Sequence, residues 1–183
     1  AVKKRFDIPI SIDTYKDKVA LEAFKVGADM VNDIWGLLYQ KANQDNYMAK
    51  YIKDYNKSVC IMHNDINDMQ ENNMDIVINR LKCSIEVALS NHIDKDKIII
   101  DPGIGFAKNY ENNLYVLKKL ECLHCLGYPI LLGTSRKSVI GMATKQDISN
   151  RLEGTLATTV YGMKKGIKFV RVHDVKENKR VID

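Results

Sequence analysis

Asp13, Asn32 and Asp101 each close a short apolar run: Ile10-Ser11-Ile12, Met30-Val31 and Ile98-Ile99-Ile100. A carboxylate accepts two parallel hydrogen bonds from an amidine- or guanidine-like edge, and an asparagine both donates and accepts. The trio suits a planar heterocycle with alternating donors and acceptors. Taken singly, each acid also fits a helix N-cap or a turn; three such groups on three run ends point to a ligand.

Cations gather on other runs. Residues 130–132 lead into Gly133-Thr134-Ser135-Arg136-Lys137-Ser138, where two adjacent cations and three hydroxyls can hold an anion and polarise a ring oxygen. Phe169-Val170 leads into Arg171 and His173. Residues two apart on a strand point to the same side, so this pair is expected to face the site together. The loop "DPGIGF", residues 101–106, has glycines for sharp turns and close backbone approach, and it has neither Walker nor dinucleotide spacing. Phe106 offers a wall for an aromatic substrate or packing under the loop. Met62 and His63 end a further run, and His63 reads as structural support near the rim.

These residues need a frame that brings strand ends together. Short apolar runs suit strands buried on both faces of a parallel sheet. Segments of helical period lie between them. "TYKDKVALEAFKVG" places Val19, Ala20, Ala23, Phe24 and Val26 on one side and stops at Gly27. "NYMAKYIKDYNK", "MDIVINRLKCSIEVALSNH", "ENNLYVLKKLECLHCLG" and "ISNRLEGTLATTVYGMKKG" follow later runs, the second of these being the longest helix. Strand and helix alternate, which implies right-handed βαβ units and, at the strands' C-terminal ends, an active site of the kind α/β barrels carry. Six runs are too few for an eight-stranded barrel of roughly 250 residues. The expectation is an α/β fold in one domain, residues 1–183, whose TIM (β/α)8-type barrel would be truncated and would leave open sheet edges.

The 183 residues are 45% hydrophobic and 28% charged, ordinary for a globular chain. A net charge of +5 is mild and scattered, without a basic arm, so nucleic acid is not the expected partner. No apolar stretch approaches membrane length and nothing resembles a signal peptide, so a cytoplasmic protein with reduced thiols is expected. Cys122 and Cys125 form a lone CxxC, short of the four ligands of structural zinc, and read as one packed face of a helix.

Together, "SIDTYK", "NDI", "MHN", "DPGIGFAK", "GTSRKS" and "RVHDV" resemble dihydropteroate synthase, in order and through essentially the whole chain. The resemblance implies a pterin-binding barrel of folate biosynthesis. It implies condensation of hydroxymethyl-dihydropterin diphosphate with p-aminobenzoate to give dihydropteroate and diphosphate, with sulfonamides as competitors. Carried over by motif, Asp13, Asn32, Met62, Asp101, Lys137 and Arg171 would bind the pterin. Phe106, Ser135 and Lys137 would line the p-aminobenzoate pocket. Arg171 and His173 would take the diphosphate, and Lys137, Arg171 and His173 would be the catalytic set. The family also uses Mg2+ and forms a homodimer. Its opening "NVTPDSF"-like strand, whose Asn binds diphosphate and magnesium, and its "GGESTRPG"-like loop do not occur here. The chain thus resembles the last six of eight βα units with most of the last helix missing, and no metal ligand is expected within it. Two rival readings are a pterin-binding methyltransferase and a non-catalytic pterin- or anion-binding fragment. The cations of "GTSRKS" and "RVHD" suit a diphosphate and argue against the first.

Overall fold

The computed structural model describes residues 1–39, 45–67 and 69–183. Strands β1 (Ser11–Asp13), β2 (Met30–Asp33), β3 (Ser58–Met62), β4 (Ile98–Asp101), β5 (Leu131–Leu132) and β6 (Phe169–Val170) fall on the six apolar runs. Helices α1 (Val2–Arg5), α2 (Asp17–Lys25), α3 (Tyr47–Asp54), α4 (Met74–Ser90), α5 (Tyr110–Lys118), α6 (Ser138–Thr144), α7 (Leu152–Lys164) and α8 (Val175–Ile182) complete the order. The expected alternation holds, with α6 as an addition directly after the "GTSRK" segment. The chain groups into two compact units, residues 1–64 with 79–100 and residues 65–78 with 101–183. Among the described residues no helix is long and apolar enough to cross a membrane.

In the first unit the sheet order is β1-β2-β3-β4. The β1–β2 and β2–β3 pairs are parallel, with Asp13 opposite Asn32 and Asn32 opposite Cys60. Val31, Val59, Cys60 and Ile61 are fully buried, as strands covered on both faces require. β1 departs from that expectation: Ser11 and Asp13 are exposed, because β1 is the edge of its sheet.

α2 buries a narrower stripe than its periodicity suggests. Ala20 and Phe24, one turn apart, are buried, while Val19 is 44% and Val26 is 77% exposed. The expected stop at Gly27 holds. Ala28 N donates to Ala23 O at 2.9 Å and Gly27 N to Phe24 O at 3.1 Å, a Schellman ending with Gly27 at φ +100°. α3 starts where the Asn46 side chain accepts the Ala49 amide at 3.0 Å.

In the second unit β5 and β6 pair in parallel, Leu131 with Phe169 and Leu132 with Val170. α5 opens with a capping box in which Asn109 and Asn112 accept each other's backbone N–H at 2.8 and 3.1 Å. The helix expected through Cys125 stops at Lys118, and residues 120–126 continue as a 3-10 segment. Its buried side chains are Leu120 and Leu123, three apart and so aligned in a 3-10 turn. The cysteines are therefore not the packed face: Cys122 is half-buried and Cys125 exposed. Gly127, at φ +74°, ends the segment. α8 docks through Asn178, 1% exposed, whose Oδ1 accepts from Thr159 Oγ1 at 2.7 Å.

Candidate functional site

The first unit joins Asp13 and Asn32 as their register dictates. Asn32 Nδ2 donates to Asp13 Oδ1 at 3.1 Å, with Asp13 exposed and Asn32 buried. An amide behind a carboxylate is a stiff hydrogen-bonding edge at two adjacent strand ends. Next to Asn32, Asp33 is 1% exposed and turns inward on the chain, accepting the amides of Trp35 and Leu37 at 2.9 Å each. Burial pushes the Asp33 carboxyl above the ordinary aspartate range, against the lowering effect of those two amides. Met62 ends β3 and His63 follows it, both 1% exposed, so His63 lies in the packed interior rather than at a solvated rim.

The second unit joins Asp101 and Arg171. Arg171 Nη2 donates to Asp101 Oδ2 at 3.1 Å, and Asp101 Oδ1 accepts the Gly103 amide at 2.8 Å. Asp101 is 1% exposed while the Arg171 side chain is 37% exposed, so the pair presents its cation outward and keeps its anion within. Gly133 makes room for this: a Cβ there would stand 2.7 Å from Arg171 Nη2.

Arg171 and His173 lie just past β6, which ends at Val170. The strand periodicity that was to align them does not extend so far, because β6 spans only two residues. Contacts bring each to its place instead. His173 N donates to Ser135 Oγ at 3.2 Å, and the same hydroxyl meets His173 Nδ1 at 2.9 Å. The Lys137 ammonium donates to Ile104 O and stands 4.8 Å from the centre of the Phe106 ring. Gly105, at φ +83°, lets Lys137 pass; a Cβ there would meet Lys137 Cδ at 3.2 Å.

Of the two adjacent cations in "GTSRKS", Arg136 does something else. Its fork grips Asp174, Nε to Oδ2 at 3.1 Å and Nη2 to Oδ1 at 2.5 Å. The Arg136 guanidinium holds the Asp174 carboxyl below the ordinary range. Arg136 adopts a left-handed φ of +57°, and both its backbone groups are tied: its N–H to Thr155 Oγ1 at 3.1 Å, its C=O to Arg151 Nη1 at 2.9 Å. That constrained turn sends Ser135, Arg136 and Lys137 to three different partners. Sequence reading missed Asp33, Lys108, Asn113 and Arg151, supports whose partners lie in loops without periodicity. Among the described residues no group of three or more His, Cys, Asp or Glu side chains is placed to hold a metal ion.

The sequence profile described as Pterin binding enzyme matches residues 1–173. The chain belongs to the pterin-binding enzyme family. Similar proteins include the dihydropteroate synthase of Clostridium beijerinckii, 51% identical over 181 residues, covering 98% of this chain and 65% of that protein. That of Bacillus subtilis is 43% identical over 98% of this chain and 61% of its own length. A solved dihydropteroate synthase from Clostridium difficile, crystallised in the presence of pteroic acid, superposes with a TM-score of 0.91 at 51% identity, over 98% of this chain and 66% of that one. That from Thermus thermophilus, in complex with 6HMPPP, gives a TM-score of 0.87 at 32% identity, over 96% of this chain and 68% of that one. The fold class expected from the sequence, the α/β barrel type represented by six βα units, is that of the pterin-binding enzymes. The chain spans about 65% of the length of the first of these curated relatives.

Proposed function

We propose that the chain carries pterin- and diphosphate-binding groups of a dihydropteroate synthase, a transferase of folate biosynthesis. The substrates are hydroxymethyl-dihydropterin diphosphate and p-aminobenzoate. The observation that carries the reading is the Asp101–Arg171 pair over Gly133, an inward acid bound to an outward cation. An acid suits the guanidine-like edge of a pterin, and a cation beside it suits the diphosphate.

In this reading Asp13, Asn32, Met62, Asp101, Lys137 and Arg171 bind the pterin. Phe106, Ser135 and Lys137 line the p-aminobenzoate pocket, and Arg171 and His173 take the diphosphate. The C–O bond to diphosphate breaks with its electron pair leaving on the diphosphate, and the pterin ring delocalises the methylene cation. Arg171 and His173 stabilise the departing charge, a preorganised effect worth roughly 2–4 kcal/mol per contact by analogy with single oxyanion donors. The amine then forms the C–N bond and gives one proton to solvent. Magnesium is the expected counter-ion of the diphosphate. A cytoplasmic location, a homodimer and competition by sulfonamides belong to the same proposal.

The test supplies pterin diphosphate and labelled p-aminobenzoate to the full-length protein. Labelled dihydropteroate is expected. Its absence, with methyl transfer from a methylated folate in its place, would move the assignment to the methyltransferases.

A further inference from the structure

Among the described residues, Lys108 is a buried cation that the proposed function leaves without a task. It is 8% exposed, and its ammonium donates to Gly103 O at 3.1 Å and to Phe106 O at 2.9 Å. Burying an ammonium is costly unless it is hydrogen-bonded, so these contacts fix both partners firmly. The same loop is tied from two more directions. Asn113, 3% exposed, accepts the Gly105 amide at 2.6 Å and donates to Lys108 O at 3.1 Å. Met69 N donates to Ala107 O at 2.9 Å.

The loop from Asp101 to Ala107 thus has carbonyls engaged by two lysines. Lys108 takes those of Gly103 and Phe106, while Lys137 takes that of Ile104 and lies by the Phe106 ring. Gly103, Gly105 and Ala107 all hold positive φ, at +68°, +83° and +47°. Glycine adopts positive φ freely, so only Ala107 is held against its preference, and Lys108 fixes both ends of the Gly103–Phe106 turn just before it.

We propose that Lys108 is a positioning residue: its ammonium holds the Phe106 ring and the Ile104 carbonyl in register with Lys137, and so shapes the subsite for the aromatic amine. Rotation of the turn would carry Phe106 and Ile104 away together, whereas Asp101 would lose only its bond to the Gly103 amide and keep its place in β4 and its bond to Arg171. The subsite assignment rests on the synthase reading; the anchoring does not.

The experiment compares Lys108→Met and Lys108→Arg with the wild-type full-length protein. Methionine keeps the length and apolar character of the stem and removes the charge. It is expected to raise KM for p-aminobenzoate by about tenfold to a hundredfold while changing KM for pterin diphosphate by less than about threefold. Amide exchange at residues 103–107 should quicken by about tenfold, with that of α7 unchanged. Arginine, able to donate to both carbonyls, should restore the exchange protection and most of the KM. A parallel rise in both KM values, or an unchanged KM for p-aminobenzoate, overturns the positioning role. Failure of the wild-type protein to make dihydropteroate would sink the synthase reading, and the exchange measurement then decides the anchor alone: unaltered protection at 103–107 in Lys108→Met sinks it too.

Discussion

Arg171 and Asp101 share one hydrogen bond of 3.1 Å across seventy residues of sequence, and Gly133 leaves the space in which it forms. The carboxylate takes the Gly103 amide on its other oxygen, so the acid at the end of β4 is fixed from two sides. Fixing the acid also fixes the guanidinium, whose charge is ready before any ligand arrives. Preorganisation of this kind makes a cation effective against developing negative charge.

Arg171→Ala should therefore weaken binding of a pterin diphosphate far more than binding of the pterin alone. The loss at the transition state should be roughly 2–4 kcal/mol. Calorimetric titration of the full-length protein with each ligand reads the difference directly. Equal losses for the two ligands would remove Arg171 from the diphosphate site.

Gly133→Ala should imitate that defect without touching a charge. Its new Cβ would stand 2.7 Å from Arg171 Nη2 and 3.1 Å from Cζ, so the guanidinium must move. Gly133 is not among the glycines at positive φ, so an alanine backbone is tolerated and the effect is steric. In a double-mutant cycle the Gly133→Ala penalty should vanish in the Arg171→Ala background. A penalty that persists undiminished would mean the glycine serves another purpose.

The strand ends were legible because fully buried parallel strands leave apolar runs with polar stops, and Val59 to Met62 is such a run in both sequence and structure. The Asp13–Asn32 edge follows from a register that period-2 reasoning can guess but not fix. Burial of β1 and β6 was not legible, since it depends on whether a neighbouring strand lies beside them. Arg136 was misread for a local reason. It shares its motif with Lys137, yet a single left-handed residue turns the two side chains to unrelated partners. Lys108 and Asn113 carry no periodic signal at all, because what they hold is the backbone of a loop.

Two aspartates should respond to acid with opposite signs. Burial raises the Asp33 carboxyl above its ordinary 3.8, so the folded protein binds that proton more tightly than the unfolded chain. Its contribution to stability is largest below 3.8 and declines as pH rises through the elevated folded value. Asp174 is lowered by Arg136, so its contribution is present above 3.8 and is lost as pH falls through the depressed folded value. Carbon NMR of the carboxyl groups should show Asp33 titrating before Asp174 as the solution is acidified. Asp33→Asn should remove the first trend from a pH series of chemical denaturation and leave the second. The reverse order of titration would contradict the burial of Asp33.

Ser135 and His173 pose the last test, because one hydroxyl makes both contacts. Ser135 Oγ accepts the His173 backbone N–H at 3.2 Å and lies 2.9 Å from Nδ1 of the same residue. The hydroxyl keeps both a hydrogen and a second lone pair for Nδ1; donating that hydrogen to Nδ1 places the proton of a neutral ring on Nε2. An exposed Nε2–H is a donor suited to a phosphate oxygen. Nitrogen NMR of labelled histidine should find the Nε2–H tautomer in the wild-type protein and a mixture in Ser135→Ala. Diphosphate binding should weaken by about 0.5–1.5 kcal/mol in that variant, the net worth of one hydrogen bond. Finding the Nδ1–H tautomer instead would reverse the donor and acceptor, and the serine would then orient the ring without selecting its proton.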